Sequence, residues 1–278
     1  MTLKQTNTQV KETKCLNDGN EKSSCVLRHA SSETQTAIRS TQYAIRTTQS
    51  ISVFFPCFNE QDNIVRTVEQ ALSVLRQIST DYEVIIINDG SIDATGKIAD
   101  EIASRNSKVK VVHHQTNLGY GAALQSGFKT ASKELVFYTD GDGQFDINEL
   151  PPLLPLIKQY DIVSCYRLNR QDCLVRRINA WCWTKLVCWL FDMKVRDIDC
   201  AFKLYKREIF DNIKLSSCGA LIDAEILAKA YNKGYSITQK GVHHYPRLAG
   251  SQTGANLRVI LRAFKELFKL YRQIKLDT

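Results

Sequence analysis

Glu83-Val84-Ile85-Ile86-Ile87-Asn88-Asp89-Gly90-Ser91-Ile92-Asp93 decides how this chain reads. Its uninterrupted β-branched run, closed by polar residues and a glycine, has the pattern of a strand buried on both faces, as parallel strands are. Ser52-Val53-Phe54-Phe55 lies upstream; Val109-Lys110-Val111-Val112 and Leu135-Val136-Phe137-Tyr138 follow. Helical patterns over residues 62–78, 94–104 and 121–131 separate them. The β-α-β-α order predicts an α/β domain whose central sheet is mostly parallel, with right-handed crossovers. Beyond Asp161 come a further strand, Ile162-Val163-Ser164, and a longer, less regular half. The chain closes with a helix near residues 256–275. There Leu257, Ile260, Leu261, Phe264, Leu267, Phe268, Tyr271 and Ile274 recur at spacings of three and four, giving one apolar and one basic face.

Residues 1–50 are rich in Thr, Gln, Ser, Asn and Lys and poor in large apolar side chains. Too little surface is available there to offset ordering entropy, so a disordered polar tail is expected. The domain is placed at 51–255, and 256–278 is a basic amphipathic helix packed on the domain or on a membrane surface. The net charge of +8 concentrates in two places. Residues 247–278 hold seven Lys/Arg against two Asp/Glu, and residues 167–191 hold five against one. Such surpluses suit anionic partners or a solvated basic face. Nine scattered cysteines without a CxxC pair argue against a disulfide scaffold and are read as reduced thiols of a cytoplasmic protein. No signal-peptide pattern opens the chain, and no run reaches the roughly 20 apolar residues that span a bilayer.

In open α/β sheets ligands bind beyond the carboxyl ends of the strands. The first strand is followed by Pro56-Cys57-Phe58-Asn59-Glu60, the second by Asn88 to Asp93, and the fourth by Thr139-Asp140-Gly141-Asp142-Gly143-Gln144. Carboxylates gathered on one edge repel one another unless a cation or hydrogen-bond donors compensate. In Asp140-Gly141-Asp142 two carboxylates one residue apart can reach a single hard divalent ion, Mg²⁺ or Mn²⁺, which takes oxygen ligands and often keeps phosphate oxygens. The same residues also suit a plain turn. Asp89 can accept hydrogen bonds from a base or ribose, and Asp93 can cap the next helix.

Asn117-Leu118-Gly119-Tyr120-Gly121 lacks the third glycine of a dinucleotide loop and opens a helix whose amides can face phosphate, or whose glycines simply turn the chain into the helix. Arg167, Arg170, Arg176 and Arg177 form a cluster suited to phosphate capture, including that of an acceptor. Asp199 can serve as a general base, hold a sugar hydroxyl, or simply turn the chain into a strand. His244 is either a wall of the site or a core residue. The acidic strand ends weigh against nucleic acid as a partner, since they repel a polyanion.

Taken together, Pro56-x-Phe58-Asn59-Glu60, Asp89-Gly90-Ser91-x-Asp93, Asn117-x-Gly119-x-Gly121, Asp140-x-Asp142-x-Gln144, Tyr166-Arg167, Asp199-Cys200-x-Phe202-Lys203 and Pro246-Arg247 with Gly250-Ser251 resemble family 2 glycosyltransferases of the GT-A fold. Within that family they are most similar to the dolichol-phosphate mannosyltransferase and polyprenyl-phosphate sugar transferase branch. The resemblance runs from about Ile51 to Arg272. It implies an inverting transfer of a hexose-type sugar from a UDP- or GDP-sugar to a polyprenyl phosphate, or alternatively to a saccharide hydroxyl in polysaccharide or cell-envelope synthesis; a non-catalytic nucleotide-binding protein is the further alternative. It further implies that Pro56, Phe58, Glu60, Ile87, Asp89, Asp140, Gly141, Asp142, Gln144, Arg167 and Arg247 line the nucleotide-sugar site. Asp140 and Asp142 would hold Mg²⁺ or Mn²⁺. Asp142, Asp199 and Arg167 would act in catalysis, and Arg170, Arg176 and Arg177 would meet the acceptor phosphate. Three departures stand out: Asn88 replaces the first Asp of D-D-G-S, Gln252 and Thr253 stand where a lysine is common, and the branch's optional C-terminal membrane helices are not present in the sequence. Trp181, Trp183 and Trp189 in an Arg-flanked helix, with the basic closing helix, predict peripheral docking on an anionic inner leaflet.

Overall fold

A computed structural model describes residues 47–168, 174–247 and 257–276. The expected tail over 1–46, Arg170, and the glycine-containing segment 248–256 lie outside the described residues. Seven strands form one sheet: β1 (Ile51–Cys57), β2 (Tyr82–Asn88), β3 (Val109–His113), β4 (Leu135–Thr139), β5 (Ile162–Leu168), β6 (Phe202–Lys206) and β7 (Ile237–His243). The helices are α1 (Ile64–Ile78), α2 (Thr95–Arg105), α3 (Tyr120–Thr130), α4 (Leu154–Ile157), α5 (Leu174–Phe191), α6 (Ile209–Asn212), α7 (Ile222–Asn232) and α8 (Leu257–Leu276). Just before β1, Thr47 is buried and its amide donates to the Ile78 carbonyl at 2.8 Å.

The strand order is β3-β2-β1-β4-β6-β5-β7. Every pairing is parallel except those of β6, which runs antiparallel to β4 and β5. The mostly parallel sheet expected from the run of apolar segments is therefore present, with one reversed strand. Alternation of side chains divides the core in two. Val53, Phe55, Val84 and Ile86 join Val68, Leu72 and Leu75 of α1 on one face. Phe54, Ile85, Val136 and Tyr138 join Leu124 and Phe128 of α3 on the other. Ile226 of α7 and Leu267, Leu270 and Ile274 of α8 close that second layer.

Two consequences of this order position the site. The chain leaves the sheet in opposite directions around β1 and β4, which opens a crevice between their carboxyl ends. Because β6 is reversed, its amino end stands on that same edge: Phe202 pairs with Thr139. The turn carrying Asp197 to Cys200 therefore lies beside the carboxyl ends of β1, β4 and β5.

Candidate active site

The crevice is built from three loops tied together by side chains. Asn59, in the left-handed region at φ 56°, accepts from the Ile92 amide at 3.0 Å, while its own amide donates to Ser91 Oγ at 3.0 Å. The Glu60 amide donates to Thr95 Oγ1 at 2.8 Å. These bonds lock the loop after β1 to the loop after β2. From the other side, the Thr67 hydroxyl lies 3.0 Å from the Asn63 carbonyl and 3.4 Å from that of Gly141. Gly141 lies so close to β1 that a β-carbon there would stand 2.6 Å from Cys57 Sγ and 3.3 Å from the Pro56 carbonyl. The Asp140–Gln144 loop is thus seated directly on Pro56–Cys57.

The carboxylates gather around this contact. Burial, with the charges of Glu60, Asp140, Asp142 and Asp93, drives the Cys57 thiol far above its ordinary range. Burial and then the facing Asp142 push Asp140 up to about 8, although Tyr120 Oη donates to it at 3.1 Å. Asp142 is buried and accepts from the Gln144 amide at 3.0 Å. The Gln144 side chain donates onward to the Tyr245 carbonyl at 3.1 Å, and the Tyr245 amide returns a bond to the Gln144 carbonyl at 2.9 Å. Arg247 crosses to Glu60, whose second oxygen accepts from Asn63 at 2.7 Å; burial still raises the Glu60 carboxyl. Pro56, Glu60, Asp140, Gly141, Asp142, Gln144 and Arg247 are therefore brought together. Phe58 is partly exposed at the rim. Ile87 is not at the surface of the crevice: it is fully buried in the core beneath α3.

Asp89 is committed within the chain. One oxygen accepts from the Leu118 amide at 2.9 Å and pairs with His114 Nδ1 at 2.6 Å, and the other accepts from the Gly119 amide at 3.0 Å. The Gly121 amide bonds the Cys218 carbonyl at 3.0 Å, and Gly119, at φ 98°, has that same carbonyl 2.8 Å from where a β-carbon would be. The amides of 118, 119 and 121, expected to be able to face phosphate, are spent on Asp89 and on the 217–219 loop; the glycines serve close packing.

At the end of β5, Asp197 holds Arg167 in a fork, Oδ2 to Nε at 2.7 Å and Oδ1 to Nη2 at 2.8 Å. Burial would lower the Arg167 pKa, but Asp197 outweighs it and raises it. Asp199 is half-buried, and desolvation with the charges of Asp223 and Asp197 lifts it to about 6. Beside it a cavity of about 540 Å³ is lined by Tyr166, Arg167, Arg177, Trp181, Arg196 and Asp197, among others. The Arg196 guanidinium stacks 4.2 Å from the centre of the Tyr166 ring. Arg176 falls in α5, its side chain outside the described residues. His244 is buried with its ring edge against Phe145. The sequence reading missed Tyr120, His114, Arg196 and Lys203. Tyr120 stood between the two glycines of a loop read for its backbone, and Arg196 lay outside the arginine cluster.

This crevice, with carboxylates from three strand ends beside a basic cavity, has the layout of a nucleotide-sugar transferase. Residues 52–214 match the family described as glycosyl transferase family 2, and the chain belongs to it. It is similar to a dodecaprenyl-phosphate galacturonate synthase of Rhizobium johnstonii, 31% identical over 59% of this chain and 50% of the relative. It is also similar to an undecaprenyl-phosphate 4-deoxy-4-formamido-L-arabinose transferase of Aeromonas hydrophila, 35% identical over 58% and 50%. The chain spans about half the length of these curated relatives. The fold is shared with glucosyl-3-phosphoglycerate synthase from Mycobacterium tuberculosis, solved with Mn²⁺, uridine diphosphate and glucosyl-3-phosphoglycerate, at 19% identity and a TM-score of 0.54 over 84% of this chain and 80% of that one.

Proposed function

We propose that this chain transfers a sugar from a nucleotide diphosphate donor, UDP- or GDP-linked, to a polyprenyl phosphate. The observation that carries the reading is the seating of the Asp140–Asp142 loop on Pro56–Cys57, with Glu60 and Arg247 alongside. Asp140, half-buried, and the buried Asp142 are the donor set of a hard cation, since its charge offsets the desolvation and the Asp142 repulsion that raise Asp140. Among the described residues no group of three or more His, Cys, Asp or Glu side chains forms a closed metal cage. Two aspartates with an open coordination sphere fit Mg²⁺ or Mn²⁺ shared with a diphosphate. Bound there, the ion would neutralise charge developing on the leaving diphosphate.

The chain's own residues supply the rest. Arg247 exchanges Glu60 for the diphosphate, and Pro56 and Phe58 wall the nucleotide. Asp89 shapes that wall by holding residues 118–119. The acceptor phosphate sits in the cavity lined by Arg177 and Arg196. Arg167, with five N–H donors of which Asp197 takes two, keeps others for phosphate. An acceptor phosphate oxygen attacks the anomeric carbon as its bond to the donor diphosphate breaks, inverting the centre and releasing the nucleotide diphosphate. A phosphate acceptor is already ionised and needs no strong base. The names of the curated relatives support this acceptor class.

Among the described residues no helix is long and apolar enough to cross a membrane. Trp181 and Trp189 of α5 and Phe268 of α8 are exposed, and Trp183 packs edge-on against Phe264, 5.7 Å between ring centres. These helices form the surface proposed to rest on an anionic leaflet, which brings a lipid acceptor to the cavity.

A second reading keeps the donor and uses a saccharide hydroxyl, with Asp199 as base; its half-buried carboxyl, lifted to about 6, favours that role. Labelled nucleotide sugars offered with polyprenyl phosphate or with a saccharide separate the two. Lipid-extractable label supports the first reading. Label confined to the saccharide, and lost in Asp199→Asn, establishes the second.

A further inference from the structure

Beneath the acidic edge lies a fully buried lysine that the proposed transfer does not use. Lys203 Nζ donates to Asp223 Oδ1 at 2.6 Å, to the Cys200 carbonyl at 2.6 Å and to Tyr138 Oη at 3.1 Å. These three bonds match its three N–H donors. Asp223 accepts a second bond from the Tyr138 hydroxyl. The three side chains come from β6, α7 and β4, and Tyr138 and Lys203 are register partners on neighbouring strands. Removing an ammonium from water costs several kcal/mol, and a buried ion pair is weak support for stability compared with apolar packing of the same volume. A fold that needed only stability at this point has cheaper solutions.

The distribution of the bonds points to what the lysine does. Cys200 follows Asp199 directly, and the same turn carries Arg196 and Asp197, which line the basic cavity. Tyr138 lies two residues before Asp140. Lys203 therefore ties the turn that faces the acceptor cavity to the strand that ends in the donor-side carboxylates, through one bond to a backbone carbonyl and one to a ring hydroxyl. We propose that Lys203 is a positioning residue for transfer, fixing the 196–200 turn against the end of β4 so that the acceptor side and the donor side of the crevice keep their spacing. Asp223 keeps the lysine charged and aimed. The proposal rests on the transferase reading above.

Lys203→Met with Asp223→Asn removes the tie to Cys200 without changing net charge, and the asparagine oxygen remains an acceptor for Tyr138. The variant is expected to bind uridine diphosphate with Mn²⁺ as the wild type does, while kcat for transfer falls by about tenfold or more, because small displacements of reacting groups cost rate rather than donor affinity. Tyr138→Phe keeps the Lys203–Asp223 pair and its bond to Cys200 but removes the ring hydroxyl that joins them to β4, and is expected to lower kcat severalfold with nucleotide binding unchanged. A double variant that binds nucleotide and turns over like wild type overturns the proposal. So does Tyr138→Phe that binds nucleotide and turns over like wild type. Wild-type protein that transfers to neither acceptor contradicts the transferase reading instead, which keeps the two failures apart.

Discussion

Gly141 and Cys57 stand so close that the space for a side chain at 141 is already filled by the Cys57 sulfur, 2.6 Å from where a β-carbon would be. The packing joins the loop after β4 to the end of β1 and sets where the two aspartates stand. Gly141→Ala is expected to lift the loop off β1, destabilising the fold by about 1–3 kcal/mol and lowering kcat/KM by about a hundredfold. Urea denaturation and a transfer assay check it; wild-type kinetics in the alanine variant would show that the seating is irrelevant.

Asp89 and the amides of Leu118 and Gly119 form a support rather than an open ligand contact. Asp89→Asn replaces an acceptor of three hydrogen bonds by a group with one acceptor oxygen. A loss of about 1–3 kcal/mol is expected in the absence of nucleotide. An unchanged Tm with weakened nucleotide binding would mean that Asp89 serves the ligand directly.

Glu83 contributes to acid stability. Burial alone would raise its carboxyl, but bonds from Lys110 at 2.6 Å, Ser52 Oγ at 2.6 Å and the Ser132 amide at 2.8 Å overcome this and hold it at about 2, below its ordinary 4.5. A depressed folded pKa gives stability that is present above pH 4.5 and lost as pH falls toward 2. The difference corresponds to about 3 kcal/mol. Glu83→Gln is expected to be less stable than wild type at pH 7 and to lose less stability between pH 4.5 and 2; parallel Tm curves over that interval would contradict this.

Trp181 and Trp189 are 61% and 78% exposed on α5, and Phe268 is exposed on α8. Their joint replacement by alanine is expected to weaken binding to anionic vesicles about tenfold or more while leaving Tm within a few degrees, since neither side chain is buried. Sedimentation with vesicles of rising anionic lipid content measures it. Equal binding by both proteins would remove these tryptophans from the membrane surface.

The sequence made β1, β2 and β4 legible because each is a short apolar run closed by turn residues, and their carboxyl ends followed directly. The direction of β6 was not legible: a five-residue strand, Phe202-Lys203-Leu204-Tyr205-Lys206, reads the same either way, and only pairing with β4 reveals that its amino end joins the site. The carboxylates were found where the strands end, whereas their partners were not. Asp89 meets amides about 30 residues downstream, and Arg167 meets Asp197 across a helix, distances over which local pattern carries no information. Lys203 sat in plain view within a motif, yet only burial distinguishes it from a surface lysine.

Asp140 and Asp142 are proposed to hold a divalent cation against the donor diphosphate. Calorimetric titration of uridine and guanosine diphosphates into wild type and Asp142→Asn, with Mn²⁺ and with chelator, tests it most directly. For the preferred nucleotide the account predicts that Mn²⁺ tightens binding at least about tenfold in wild type and has no effect in the variant. Nucleotide affinity independent of Mn²⁺ in both proteins, or equally enhanced in both, would contradict it.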